Sequence, residues 1–125
     1  MINREISTLF DTYLKTFPVV VLTGARQVGK TTFLQEKLRD THSYVLLEDP
    51  DIKNFAKEDP RSFFEKYPAP LIIDEFQEVP ELVSYLQGIV DKRRSLKGQY
   101  ILTGTQNFVM MEQVTQSLAG RAGIL

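Results

Sequence analysis

Apolar and polar positions along this chain fall into blocks whose period switches between helical and extended. Ile2, Ile6, Leu9, Phe10, Tyr13, Leu14 and Phe17 recur at helical spacing and predict one helix over residues 2–17, ended by Pro18. Four short apolar runs predict strands: Val19 to Thr23, Ser43 to Leu47, Leu71 to Asp74, and Gln99 to Thr103. Helical segments lie between them. Thr31 to Asp40 carries Phe33, Leu34 and Leu38 inward, and two short pieces cover Asp51 to Glu58 and Pro60 to Tyr67. Asp59-Pro60 marks a helix start with proline in the first turn. Pro80 opens a longer helix with Leu82, Val83, Leu86, Ile89 and Val90 on one face, and a last helix runs from about Asn107 to Leu118. Arg121 to Leu125 reads as the approach to a fifth strand. Strands and helices alternate, and the strands are apolar on both faces. That pattern predicts an α/β fold, a parallel sheet covered by helices on both sides and joined by right-handed crossovers.

Composition narrows the class. A chain of 125 residues fits one domain, and 42% hydrophobic with 25% charged residues fits a globular one. The formal net charge of -1 gives no overall pull toward nucleic acid or a membrane surface. No apolar run approaches the roughly 18–20 residues that span a bilayer, and Met1 to Glu5 does not open a signal peptide. The expected setting is therefore cytoplasmic, with no membrane or nucleic-acid partner indicated. The absence of cysteine excludes disulfides, thiolate metal sites and cysteine nucleophiles. His42, the sole histidine, reads as a surface-loop residue, and Lys92, Arg93, Arg94 and Lys97 as a solvated helix C-terminus favoured by the helix dipole.

One stretch changes the picture. Gly24-Ala25-Arg26-Gln27-Val28-Gly29-Lys30-Thr31, followed by Thr32, has the form G-x-x-x-x-G-K-[ST], the P-loop or Walker A pattern. It follows a predicted strand and precedes a predicted helix, the context that gives the pattern structural meaning. Gly24 and Gly29 let the backbone turn tightly and aim its N–H groups at phosphate oxygens. The helix N-terminus adds unpaired N–H groups and a partial positive charge. Lys30 is expected at the β- and γ-phosphates, and Thr31 at a magnesium ion.

Leu71-Ile72-Ile73-Asp74-Glu75 is an apolar strand ending in two carboxylates, the Walker B pattern. Acids at the C-terminal end of a parallel strand face the crevice where ligands bind in open α/β sheets. Asp74 can accept hydrogen bonds from the water shell of magnesium, and Glu75 stands where a general base could deprotonate a water. The fourth strand ends in Thr103-Gly104-Thr105-Gln106. If that strand lies between those of Walker A and Walker B, Thr105 or Gln106 becomes a sensor of the γ-phosphate; a polar loop is the alternative. Arg26 and Arg121 are candidates for stabilising transition-state charge, with a structural ion pair as the alternative for each. No guanine-reading motif occurs, which favours adenine.

Gly-Ala-Arg-Gln-Val-Gly-Lys-Thr-Thr at 24–32, Ile-Ile-Asp-Glu-Phe-Gln-Glu-Val-Pro at 72–80, Ile-Leu-Thr-Gly-Thr-Gln at 101–106 and Ser-Leu-Ala-Gly-Arg at 117–121 together resemble prokaryotic AAA-type ATPases of the AAA_14 family, which carry a DUF4143 C-terminal domain. The resemblance covers nearly the whole chain. It implies a three-layer P-loop NTPase sandwich with sheet order 5-1-4-3-2. It implies ATP and Mg2+ at Lys30, Thr31 and Asp74, catalysis at Glu75, a sensor at Thr105-Gln106, and a Gly-Arg motif at 120–121. Similar proteins continue further, so the chain is expected to be the core of a longer protein. Self-association or a C-terminal domain is then the expected partner. A Mg-dependent ATPase is the leading reading, and a nucleotide-dependent switch with negligible hydrolysis is the alternative.

Overall fold

The computed structural model describes residues 4–24, 29–93, 95–105 and 108–125. In chain order the elements are α1 (Arg4–Thr16), β1 (Val19–Gly24), α2 (Lys30–Leu38), β2 (Ser43–Leu46), α3 (Pro50–Glu58), α4 (Pro60–Lys66), β3 (Leu71–Asp74), a 3-10 turn (Phe76–Glu78), α5 (Leu82–Asp91), β4 (Tyr100–Thr105), α6 (Phe108–Ser117) and β5 (Ala122–Ile124). Side-chain caps fix two of the boundaries. Asp49 accepts from the Asp51 N–H at 3.0 Å, and Asp59 accepts from the Ser62 N–H at 3.1 Å, each with proline just inside the helix. Each such cap contributes on the order of 1 kcal/mol.

The five strands form one sheet in the order β2-β3-β4-β1-β5, and every pairing is parallel. Read from the β5 edge, the order is 5-1-4-3-2. Because successive strand residues point to opposite faces, each strand feeds two cores. Val19, Val21, Leu71, Ile73 and Leu102 join the larger core, with Phe63, Leu86, Val90 and Val114 from helices α4, α5 and α6. Val20, Leu22, Ile72 and Ile101 join the smaller one, with Phe10 of α1 and with Leu34 and Leu38 of α2. Double coverage explains why the strands read as continuous apolar runs.

The apolar face of α1 is narrower than its spacing predicts. Phe10 is buried, with Tyr13 and Leu14 packed beside it, whereas Ile6 and Leu9 are 36% and 42% exposed. Phe10 enters the smaller core with Val20, Leu22 and Ile101, whereas Ile6 and Leu9 stay outside that core. No described helix is long and apolar enough to cross a membrane.

Candidate functional site

The alternation that builds two cores also places the chemistry. In β3, Leu71 and Ile73 face the larger core, so Ile72 and Asp74 face the side that α2 covers. Thr31, in the first turn of α2, donates its hydroxyl to Asp74 Oδ2 at 2.8 Å. Tyr44 of β2, in register with Ile72, donates to the same oxygen at 2.5 Å. Asp74 is 5% exposed, so this acid is held almost dry by two hydroxyls brought from two other elements. The Tyr44 phenol is pushed well above its ordinary range, first by burial and then by its hydrogen bond to Asp74. It therefore remains a proton donor at any physiological pH.

The turn into α2 needs glycine. Gly29 is the N-cap with φ 77, a left-handed conformation that L side chains adopt at a cost, and its carbonyl accepts from the Phe33 N–H at 3.0 Å. Gly24 ends β1 in register with Thr105 at the tip of β4. The strand of Walker A and the strand of Walker B are thus separated by β4, the placement on which a sensor role for Thr105 and Gln106 depends.

Glu75 breaks the alternation. It sits at φ 57, ψ 48, the sole non-glycine residue with positive φ among those described. That conformation costs about 1–2 kcal/mol. It turns the chain so that Phe76 enters the larger core at 3% exposure, a burial that contributes about 1.5–3 kcal/mol. The apolar anchor therefore offsets the strain, and the acid is left at the sheet's edge, 6% exposed. Gln77 Nε2 donates to Glu75 Oε2 at 2.9 Å. Among the described residues, two buried side-chain polar atoms have no hydrogen-bond partner: Gln77 Oε1 and Thr103 Oγ1. Both belong to this end of the sheet, since Thr103 is in register with Asp74 and with Leu22. An unsatisfied buried acceptor costs about 1–3 kcal/mol.

The other candidates are distributed unevenly. Ala25, Arg26, Gln27, Val28 and Gln106 lie outside the described residues, and Lys30 and Thr105 are described by their backbone alone. Thr32 is exposed and lines a cavity of about 490 Å³ that runs along α2 past Tyr44 to His42. Arg121 is at the opposite end of the sheet, just before β5. Its Nε and Nη2 donate to the two carboxylate oxygens of Asp91 at 2.5 and 3.1 Å, and its Nη1 to the Ala119 carbonyl at 2.9 Å. His42 is half-buried rather than a free loop residue. Its Nδ1 pairs with the Thr41 hydroxyl and its Nε2 with the Gly98 carbonyl, both at 2.8 Å. Burial lowers its pKa, opposed by the bond to Gly98. No group of three or more His, Asp or Glu side chains among the described residues forms a metal cage.

Tyr44 and Gln77 are the site residues that motif reading missed. Each had a signal. Tyr44 is a tyrosine beside the aliphatic Val45 and Leu46 of its strand, and Gln77 lies two residues past Glu75.

The profile of the AAA_14 family, described as an AAA domain, matches residues 16–125. The chain belongs to the AAA_14 family. Membership makes it a P-loop nucleotide-binding module, in keeping with the all-parallel sheet. Over 123 residues, 98% of its length, the chain is 28% identical to the uncharacterized protein Rv2008c of Mycobacterium tuberculosis, and equally to the uncharacterized protein Mb2031c of Mycobacterium bovis. It spans 28% of the length of each of these relatives.

Proposed function

We propose that the chain binds ATP with Mg2+ and hydrolyses it. The observation that carries this reading is the convergence of the Thr31 and Tyr44 hydroxyls on one carboxylate oxygen of Asp74, beside the buried acid Glu75. Magnesium takes hard oxygen ligands, keeps several waters and needs few protein groups. A hydroxyl and a carboxylate 2.8 Å apart, from the P-loop helix and the Walker B strand, fit that demand. Thr31 and Asp74 would hold the ion, whose charge neutralises phosphate oxygens.

Residues 24–32 would wrap the phosphates through their N–H groups, with Lys30 as the cation of the set. Glu75 would take the proton of the attacking water, and its near-complete burial keeps bulk water from competing for it. Thr105 and Gln106, at the end of the strand between the two motifs, would read the γ-phosphate. Arg121 is assigned a structural role, tying the C-terminus of α5 to β5 through Asp91. Phosphoryl transfer to water needs positioning and charge stabilisation more than covalent chemistry, and these groups supply both.

The test is phosphate release together with calorimetric titration of MgATP. Glu75→Gln should lower turnover by about 10²–10⁴-fold and leave ATP binding intact. Unchanged turnover refutes Glu75 as the base, and absence of saturable MgATP binding refutes the nucleotide site.

One observation favours a second reading. The Glu75 carboxylate is already engaged by Gln77, as expected of a switch that binds nucleotide and hydrolyses little. That reading predicts a change of mass or shape in sedimentation on adding MgATP, without phosphate release. An identical profile with and without nucleotide would argue against it.

A further inference from the structure

Gln77 grips Glu75 through a seat that β4 was shaped to provide. Its Nε2 donates to Glu75 Oε2 at 2.9 Å, while its Oε1 is buried without a hydrogen-bond partner. The amide packs on Gly104, where an added Cβ would overlap Oε1 and stand 3.2 Å from Cδ. Gly104 faces the larger-core side of β4, next after Leu102 on that face, and Phe76 bounds the same space 3.3 Å away. The notch is one residue before the β4 tip and in register with Thr23 of the P-loop strand. A buried acceptor without a partner loses hydration and gains nothing in return. The amide's place is therefore explained by its donor end, which holds the carboxylate. A carboxylate held through one oxygen loses rotation about its last bond, and its lone pairs take one direction.

We propose that Gln77 is the positioning residue for Glu75, and that Gly104 is the notch that seats it, so that the orientation of the base depends on the tip of β4. The proposal rests on the hydrolytic reading of the site. Two experiments on the full chain keep the two separable.

The first needs no nucleotide. In a nitrogen-15-labelled sample, the Gln77 side-chain amide should show one downfield, exchange-protected proton that moves upfield in Glu75→Ala and in Gly104→Ala. A Gln77 amide with the shift and exchange of a solvated glutamine overturns the proposal, whatever the activity.

The second is steady-state kinetics. Gln77→Ala and Gly104→Ala should each lower kcat for ATP by about 10- to 100-fold, as misplacement of a reacting group does, with KM unchanged. The double variant should fall no further than either single one, because both act through one contact. Wild-type kcat in Gln77→Ala, or losses that multiply in the double variant, overturns the proposal. Should Gly104→Ala fail to fold, Gln77→Asn replaces it, since an amide one methylene shorter cannot span the contact and should lose kcat like Gln77→Ala. A chain with the amide signature and no turnover sinks the hydrolytic reading, and with it the catalytic purpose of the contact.

Discussion

The two ends of the sheet are built from opposite materials. At the N-terminal end, aromatic rings do the packing. Phe63 lies 5.2 Å from both Phe64 and Tyr67, ring centre to centre, and Phe64 meets Tyr100 at 5.8 Å, edge to face. Burial raises the Tyr100 phenol, with Arg93 pulling against it. At the C-terminal end, the buried groups are Asp74, Glu75 and Thr103, a set that costs free energy to bury. An open cavity of about 540 Å³ belongs to the aromatic end and is lined by Arg61, Phe64, Tyr85, Ile89, Arg93 and Tyr100 among others. Convergent hydrogen bonds lie instead at the C-terminal end, where Thr31 and Tyr44 both donate to Asp74. One end contributes stability, and the other consumes part of it to hold buried acids and the unpartnered Gln77 Oε1 and Thr103 Oγ1.

Substitutions can break this contrast or sharpen it. The largest loss of stability should come from Phe63→Ala at the aromatic end, about 3–5 kcal/mol, since Phe63 is fully buried. Urea unfolding followed by circular dichroism measures it, and a loss below about 1 kcal/mol would remove the aromatic end as the stabilising one.

Tyr44→Phe at the polar end should act on the ligand more than on the fold. Removing the hydroxyl from Asp74 frees the acid to rotate, so the Mg2+ concentration for half-maximal ATP binding should rise about 10-fold, as for other residues that orient a metal ligand. An unchanged requirement would separate Tyr44 from the site.

The smallest effect should be the pH response of His42, which precedes β2 at the N-terminal end of the sheet. Its folded-state pKa is lowered from 6.5 by burial. The stability it contributes is therefore complete above pH 6.5 and is lost as pH falls through the lowered folded-state value. Unfolding compared at several pH values for wild type and His42→Gln should show a steeper acid loss in wild type. Equal slopes would mean that His42 titrates as it does in the unfolded chain.

Much of this architecture was legible before any coordinates. The apolar runs at Val19, Tyr44, Leu71 and Ile101 became strands because only strands so short and so apolar can be covered on both faces. Asp59-Pro60 announced a helix start because the cap and the proline act locally. Gly24 to Thr31 announced a nucleotide-binding module because phosphate binding by backbone N–H groups demands glycines at fixed spacing. The exposed side of α1 was not legible, since spacing says which residues share a face and not how far the neighbouring sheet extends beneath it.

What only the tertiary structure decided was who meets whom. The sequence determined that Asp74 ends an apolar strand. Register and alternation decided that it turns toward α2, where Thr31 and Tyr44 wait from 43 and 30 residues away. The sequence placed Gln77 two residues after Glu75 without a role. The left-handed turn at Glu75 and the missing side chain of Gly104 decided that its amide reaches back to the acid. Arg121 was named in the sequence without a partner, and parallel β5 decided that it sits at the far end of the sheet, beside Asp91. Local propensity is written in neighbouring residues and can be read from them. Hydrogen bonds between distant elements depend on strand order and register, which arise only when the whole sheet assembles.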